Sequence, residues 1–90
     1  MRDLDGSWDV RRVSGLLPPL VGVSKRIDGT SGRTLVGPVG IEFDVVGPEL
    51  RYRRPFGLVV DRLEPDGAGF IGTTVVAGRE VGRFRLVRRR

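Results

Sequence analysis

The chain has 90 residues, 39% of them hydrophobic and 30% charged, with a formal net charge of +5, which is a typical composition for one globular domain. It contains no cysteine, histidine, asparagine or glutamine, which excludes disulfides, thiolate or imidazole metal sites and the Ser-His-Asp and Cys-His catalytic mechanisms. No apolar run approaches the roughly 20 residues of a membrane helix, and the first residues lack the apolar core of a signal peptide, so we expect a cytoplasmic protein.

Apolar residues at every second position predict strands in the first half of the chain. A first strand covers residues 7–13 and ends before the prolines at 18–19, because proline cannot donate to a strand ladder. Two more strands flank a turn at residues 28–32, and Gly37 separates them from a strand over residues 39–45. The face that we expect to point inward carries Trp8, Val10, Val21, Val23, Ile27, Leu35, Ile41 and Phe43.

The second half of the chain continues the pattern. After a turn at residues 47–49, Tyr52 lies on the apolar face of a short strand. The next predicted strand, residues 56–63, is apolar on both faces and is therefore expected to be central or covered. A hairpin turn at residues 66–69 leads to a strand over residues 70–77. The last strand alternates apolar residues with arginines, namely Phe84 and Leu86 with Arg83 and Arg85.

Seven or eight short strands joined in sequence order by short turns form an antiparallel meander, and a meander of this many strands tends to close on itself. Closure also removes the sheet edges that a small strand-rich protein would otherwise expose. The sequence therefore predicts an all-β fold, a single β-barrel domain over residues 1–90 with up-and-down topology. A partly open barrel completed by a second copy is the alternative architecture.

Gly6-Ser7-Trp8, at the start of the first strand, resembles the Gly-x-Trp motif of the lipocalins and the wider calycin group. The resemblance implies a calycin-like barrel in which the tryptophan closes one end and an arginine of the last strand packs across it. Arg88, on the inward face of the last strand, is the arginine that fits this role. The residues at 15–20 take the place of the longer loop that follows the first strand in these barrels. The chain is shorter than typical lipocalins and lacks their other two motifs.

The resemblance further implies that the barrel binds a small, mostly apolar molecule without catalysis and without a cofactor. An eight-stranded barrel has room for its own side chains or for one small ligand. The candidate ligand-binding residues are Tyr52, Lys25, Phe43, Val23 and Ile41. Tyr52 offers a hydroxyl to orient a ligand, or else places that hydroxyl at the barrel mouth. A desolvated Lys25 would have a lowered pKa and could hold a carboxylate or form a Schiff base, unless it reaches water from a strand end.

A second hypothesis is a basic barrel that binds single-stranded nucleic acid, because fifteen of the sixteen basic residues are arginines, which pair well with phosphate. The candidate anion surface consists of Arg51, Arg53, Arg83 and Arg85. Modules of this kind stack bases on exposed aromatic side chains. Most aromatics here share the inward face, so an outward Tyr52 or Phe56 would favour this hypothesis. The mixing of acidic and basic residues along the chain favours an ordinary solvated surface instead.

A third hypothesis is a cyclase- or isomerase-like enzyme that shapes its substrate without conventional catalytic groups. Glu42 and Asp44 are the best carboxylate pair, but the arginines at 51 and 53 predict cross-strand ion pairs with them on the solvent face. Asp61 and Arg62 lie among apolar neighbours, so we expect one of the two to be partly buried, as part of a buried or rim ion pair. A chain of this size buries only about 60 to 65% of its surface, so we also expect a homodimer. The expected dimer face is apolar and outward, near Val59, Leu63, Val75 and Ala77.

Overall fold

A computed structural model describes residues 4–15, 20 and 22–89, in which eight antiparallel strands close into one barrel. The strands follow chain order around the barrel, and the last strand pairs with the first. The strands are β1 (Gly6–Gly15), β2 (Val23–Asp28), β3 (Ser31–Val36), β4 (Val39–Val46), β5 (Glu49–Tyr52), β6 (Val59–Asp66), β7 (Gly69–Val76) and β8 (Arg79–Arg88). The all-β up-and-down barrel predicted from the sequence is confirmed.

Two-residue turns set the register of the hairpins. Gly37 and Gly47 each begin such a turn with a φ of 57°, in the left-handed region that glycine adopts without strain. Across the first of these turns Val36 pairs with Val39, so that Thr34 shares the face of Ile41. The expectation that Leu35 continues the inward face of β4 is therefore wrong, because a two-residue turn exchanges the two faces.

The interior of the barrel differs between its two ends. The end that carries Trp8, called here the Trp8 end, is filled by apolar side chains. Its buried members include Leu4, Trp8, Ile27, Phe43, Leu50, Leu63, Phe70 and Leu86. Trp8 packs edge-on against Phe70, with the ring centroids 5.5 Å apart. Polar side chains enter the interior toward the opposite end, called here the mouth, which carries the turn at residues 37–38 and the segment 53–58.

Large aromatic rings inside the barrel lie on strand glycines. The ring of Phe84 covers Gly72, where an added Cβ atom would come within 2.1 Å of the ring. The ring of Phe43 lies on Gly32 in the same manner, at 2.8 Å from such an atom. These two glycines therefore give room for two of the largest core side chains.

Residues 53–58 form turns, and the strand predicted over residues 56–63 begins only at Val59. The amide of Phe56 donates to the carbonyl of Arg53, and the amide of Val59 donates to that of Phe56, both at 2.9 Å. These local hydrogen bonds replace a strand ladder before Val59. Phe56 and Leu58 are consequently 45% and 69% exposed.

The apolar outer face expected near Val59, Leu63, Val75 and Ala77 is also wrong, because Leu63 and Val75 are buried and only Ala77 of the four is exposed. The register of β6 turns Leu63 into the core, and Val59 lines an interior cavity. The residues between them alternate, so that Asp61 points inward and Arg62 points to solvent. The homodimer inferred from this face stays a prediction without a defined surface.

Candidate ligand-binding cavity

Five polar side chains from five strands meet inside the mouth half of the barrel. They are Lys25 of β2, Thr34 of β3, Tyr52 of β5, Asp61 of β6 and Thr74 of β7. Strand register brings two pairs of them side by side, since Lys25 lies opposite Thr34 and Asp61 lies opposite Thr74. The two pairs face one another across the interior, and Tyr52 lies between them. We call these five residues the polar cluster.

Lys25 and Asp61 form the charged centre of the polar cluster, with Nζ and Oδ2 3.0 Å apart. The Lys25 ammonium also donates to Thr34 Oγ1 at 2.6 Å and to the Tyr52 hydroxyl at 2.5 Å. Tyr52 donates to Asp61 Oδ2 at 3.0 Å, and Thr74 donates to Asp61 Oδ1 at 2.9 Å. Within the described part of the chain, every buried side-chain nitrogen and oxygen atom has a hydrogen-bond partner.

The lysine is buried and keeps its charge. Lys25 and Asp61 are each only 3% exposed. Burial by itself would lower the pKa of Lys25, but the Asp61 carboxylate and the Tyr52 hydroxyl outweigh it and raise that pKa above its ordinary value. The lowered pKa expected from desolvation is therefore wrong, because the sequence pattern did not include the partner across the barrel. The rings of Phe43, Tyr52 and Phe84 surround the ammonium at 5.2 to 5.4 Å from their centroids.

The protonation states limit what the polar cluster can do chemically. A lysine that stays protonated has no lone pair for a Schiff base. Burial likewise raises the pKa of the Tyr52 hydroxyl, although the Lys25 ammonium opposes it, so Tyr52 stays a phenol at neutral pH. Neither group is poised as a nucleophile or a base. The arrangement is suited to holding a molecule by hydrogen bonds.

A cavity of about 130 Å³ lies directly on the polar cluster. Its remaining lining is apolar, and the full set is Val10, Leu20, Val23, Lys25, Thr34, Tyr52, Val59, Asp61, Thr74 and Phe84. Of the predicted ligand-binding residues, Val23, Lys25 and Tyr52 line this cavity. Phe43 is buried beneath it, edge-on to Tyr52 at 5.4 Å. Ile41 lies elsewhere, on a surface groove.

Thr34 is a cavity residue that the sequence pattern missed, whereas Thr74 shares the inward parity of Phe70 and could be predicted to line a cavity. Threonine suits either face of a strand, so its presence carries little information on direction. The only signal for Thr34 is its pairing with Ile41, which requires the correct register of the hairpin at Gly37. The sequence predicts that Asp61 or Arg62 is partly buried, but it indicates neither which of the two it is nor that the partner is Lys25 of β2.

The structure brings Trp8 and Arg88 together at the Trp8 end of the barrel. The guanidinium carbon of Arg88 lies 4.1 Å from the ring centroid of Trp8. The indole N–H donates to the carbonyl of Leu4 at 2.8 Å, and Arg88 donates to the carbonyl of Asp5 at 2.7 Å. These bonds fasten the chain before β1 across the end of the barrel. The longer loop expected at residues 15–20 lies outside the described residues except for Gly15 and Leu20, and so does Val21.

The four arginines of the candidate anion surface fall into two separate groups. Arg51 and Arg53 lie on β5 and directly after it, the other two lie on β8, and these two strands are not neighbours in the barrel. Each arginine is also paired with a carboxylate. The N–O distances are 2.8 Å for Arg51–Glu49, 2.7 Å for Arg53–Asp44, 3.7 Å for Arg83–Glu80 and 3.3 Å for Arg85–Asp66. The hydrogen bond from Arg53 lowers the pKa of Asp44 below its ordinary value. A continuous phosphate track along these four arginines is therefore not formed.

A different basic surface surrounds Phe56. A groove of about 350 Å³ is lined by Arg33, Gly40, Ile41, Glu42, Arg53, Arg54, Pro55 and Phe56. Arg53 and Arg33 both contact Glu42 there. Phe56 is thus an outward aromatic side chain beside three arginines, which is the feature that the nucleic-acid hypothesis requires.

The chain matches no protein-family model, no curated protein and no solved structure. The described segments contain no helix long and apolar enough to cross a membrane. Within the same residues, no three acidic side chains are grouped as a metal site would require.

Proposed function

We propose that this protein is a non-catalytic barrel that binds a small, mostly apolar molecule. The observation that carries the proposal is the interior cavity, whose apolar walls end on a compact group of polar side chains. Pockets of this composition bind ligands by shape and orient them through a few polar atoms. The calycin-like resemblance of Gly6-Ser7-Trp8 points in the same direction. The cytoplasmic location and the homodimer belong to this proposal as predictions.

The size of the cavity limits the ligand. Its volume of about 130 Å³ is close to that of the roughly 150 Å³ engineered cavity that holds benzene. The ligand, or the part of it that enters the barrel, therefore has about as many non-hydrogen atoms as benzene. Val10, Val23 and Val59 would contact its apolar part, and Thr74 and Asp61 would contact its polar end.

Native mass spectrometry of the purified protein at low salt tests the proposal, since it reports a retained molecule and the number of subunits together. We expect an additional mass that is lost on denaturation. Val23→Phe, which fills the cavity, should abolish the additional mass. Val46→Phe is the matched control, because Val46 is exposed and away from the cavity. Loss of the additional mass in both variants, or in neither, would contradict the cavity as the binding site.

A second candidate function is binding of single-stranded nucleic acid at the groove beside Phe56, and the exposure of this ring is the observation that favours it. Base stacking on one aromatic ring contributes about 1–3 kcal/mol. Fluorescence anisotropy with a labelled oligonucleotide over a range of salt concentrations tests this function. Phe56→Ala should weaken binding at every salt concentration, whereas Leu58→Ala, an exposed control two residues away, should not. Equal binding by both variants would exclude the groove.

A further inference from the structure

Every N–H and O–H group of the polar cluster's side chains donates a hydrogen bond to another member of the cluster. Lys25 has three N–H groups, and Thr34, Tyr52 and Thr74 have one O–H group each, which makes six donors. The contacts among the five residues are also six: three from Lys25, then Thr34 to Tyr52, Tyr52 to Asp61 and Thr74 to Asp61. With Tyr52 donating to Asp61, the short contact between Thr34 and Tyr52 is donated by Thr34. No donor is left for a ligand.

The polar cluster can still accept hydrogen bonds, but it has no free group that could donate one. Thr74 Oγ1 donates its hydrogen to Asp61 and keeps its lone pairs. Asp61 Oδ1 accepts one bond, from Thr74, and a carboxylate oxygen can accept two. Both oxygen atoms belong to residues that line the cavity. A ligand can therefore add a hydrogen bond only by donating one.

The polar cluster is also electrically neutral, since it contains one ammonium and one carboxylate in contact. A carboxylate ligand would have to lose its own hydration and take an N–H of Lys25 away from Asp61, Thr34 or Tyr52. That exchange leaves a buried oxygen without its hydrogen bond, which is costly in the interior of a protein. An ammonium ligand would bring a second positive charge close to Lys25. Both ionic ligands are therefore disfavoured relative to a neutral donor.

We propose that the cavity selects a neutral molecule that donates a hydrogen bond, an alcohol, over a carboxylate or an amine of the same size. This inference rests on the proposed function and specifies its ligand class. The hydroxyl of the ligand donates to Thr74 Oγ1 or to Asp61 Oδ1, and its apolar part lies against the valines of the cavity. The Lys25–Asp61 pair disfavours charged ligands, because its ammonium and its carboxylate already neutralise each other.

The test uses 1-pentanol, butanoate and pentylammonium, which each have as many non-hydrogen atoms as benzene. Each is titrated into the ¹⁵N-labelled protein at pH 7, and the amide shifts of residues flanking the cavity, such as Val60 and Val75, give the affinity. We expect 1-pentanol to bind at least about tenfold more tightly than butanoate, in keeping with the loss of a hydrogen bond at a charged group. Pentylammonium should also bind more weakly than the alcohol.

The variant Asp61→Asn removes the negative charge and should reverse the order, so that butanoate binds more tightly than 1-pentanol. Asp66→Asn is the matched control, because Asp66 lies on the same strand, exposed and paired with Arg85 outside the barrel. It should keep the order of the unmodified protein. If Asp61→Asn does not fold, the order of the three probes on the unmodified protein still decides.

The outcomes separate the ligand class from the binding site. Tighter binding of butanoate or pentylammonium to the unmodified protein overturns the selection of neutral donors and leaves the cavity as a binding site. If none of the three probes shifts the cavity amides, both this inference and the proposed function are overturned. Tighter binding of the alcohol together with the reversed order in Asp61→Asn supports both.

Discussion

Trp8 and Arg88 face each other across the seam where β1 pairs with β8, and the guanidinium carbon lies 4.1 Å from the ring centroid. Trp8 is fully buried, and its N–H donates to the carbonyl of Leu4. The guanidinium lies over the face of the ring, where the electrostatic attraction between a cation and an aromatic ring is strongest. This contact covers one end of the barrel with a residue from each terminal strand.

Replacement of Arg88 by alanine should lower the free energy of unfolding by about 0.5 to 2 kcal/mol, the range of an Arg–Trp contact. The emission of the single tryptophan should change as well, because its ring face becomes accessible to water. Urea unfolding and fluorescence spectra measure both effects. Arg85→Ala, an exposed arginine of the same strand, is the control and should leave the spectrum unchanged. An unaltered spectrum and melting temperature for Arg88→Ala would show that the contact does not stabilise the barrel.

The ion pair of Lys25 and Asp61 should be far more sensitive to removal of one partner than to removal of both. Lys25→Met leaves a buried carboxylate uncompensated and should cost about 3–5 kcal/mol. The double variant Lys25→Met/Asp61→Leu should be less destabilised than Lys25→Met alone, since no unpaired charge remains. A double-mutant cycle by urea denaturation measures the coupling. Strictly additive effects of the two substitutions would contradict a coupled buried pair.

Stability should decrease at alkaline pH because the folded barrel holds two protons more tightly than the unfolded chain. The pKa of Lys25 is raised above its ordinary value of 10.5 and that of Tyr52 above 10.0. Both contributions are complete below about pH 10 and are lost as the pH rises through the folded-state values. These residues are the only lysine and the only tyrosine, so their titration is unambiguous.

The measurement is urea denaturation at several pH values between 7 and 11, with Lys25→Met for comparison. The unmodified barrel should lose stability steeply above about pH 10, and the variant should show a shallower decline because only Tyr52 remains. A parallel decline in both proteins would assign the pH dependence to other groups.

Gly72→Ala should destabilise the barrel by about 1–3 kcal/mol, because the new methyl group overlaps the ring of Phe84 and the core must shift. Gly40→Ala is the matched control, a strand glycine of β4 where an added Cβ meets its neighbours no closer than 3.4 Å. That control should be neutral or slightly stabilising. Thermal unfolding compares the two. Partial recovery of Gly72→Ala by a second substitution, Phe84→Leu, would identify the ring overlap as the cause.

Most of the fold was predictable because a period of two and a glycine-containing turn recur along nearly the whole chain. Two regions departed from this pattern for local reasons. Alternation counted through the turn at Gly37 placed Leu35 on the wrong face, since two turn residues reverse the faces. The apolar Phe56 and Leu58 fit the pattern of a strand. The amides of Phe56 and Val59, however, donate to carbonyls within the turns after Arg53 and are not available for a strand ladder.

The site was only half predictable. Parity showed that Lys25 and Tyr52 point inward, but parity cannot show which inward residues of distant strands meet across the interior. Asp61 lies four strands from Lys25 in chain order, and only closure of the barrel brings the two together. Whether the pKa of Lys25 is raised or lowered depends on the contact between Lys25 and Asp61. The inward direction of the lysine was predictable from parity, whereas its full burial and its charge state follow from the closed fold.

Pairing of β1 with β8 also determines the order in which parts of the barrel can fold. The hairpins from β2 to β4 need only nearby residues, but the hydrogen bond from Arg88 to Asp5 closes a separation of 83 positions. During synthesis at about 5 to 20 residues per second, several seconds pass between the emergence of Trp8 and that of Arg88, its partner on β8. A nascent chain therefore exposes its largest apolar side chain until β8 arrives, and this late, long-range closure is the step at which aggregation and folding compete.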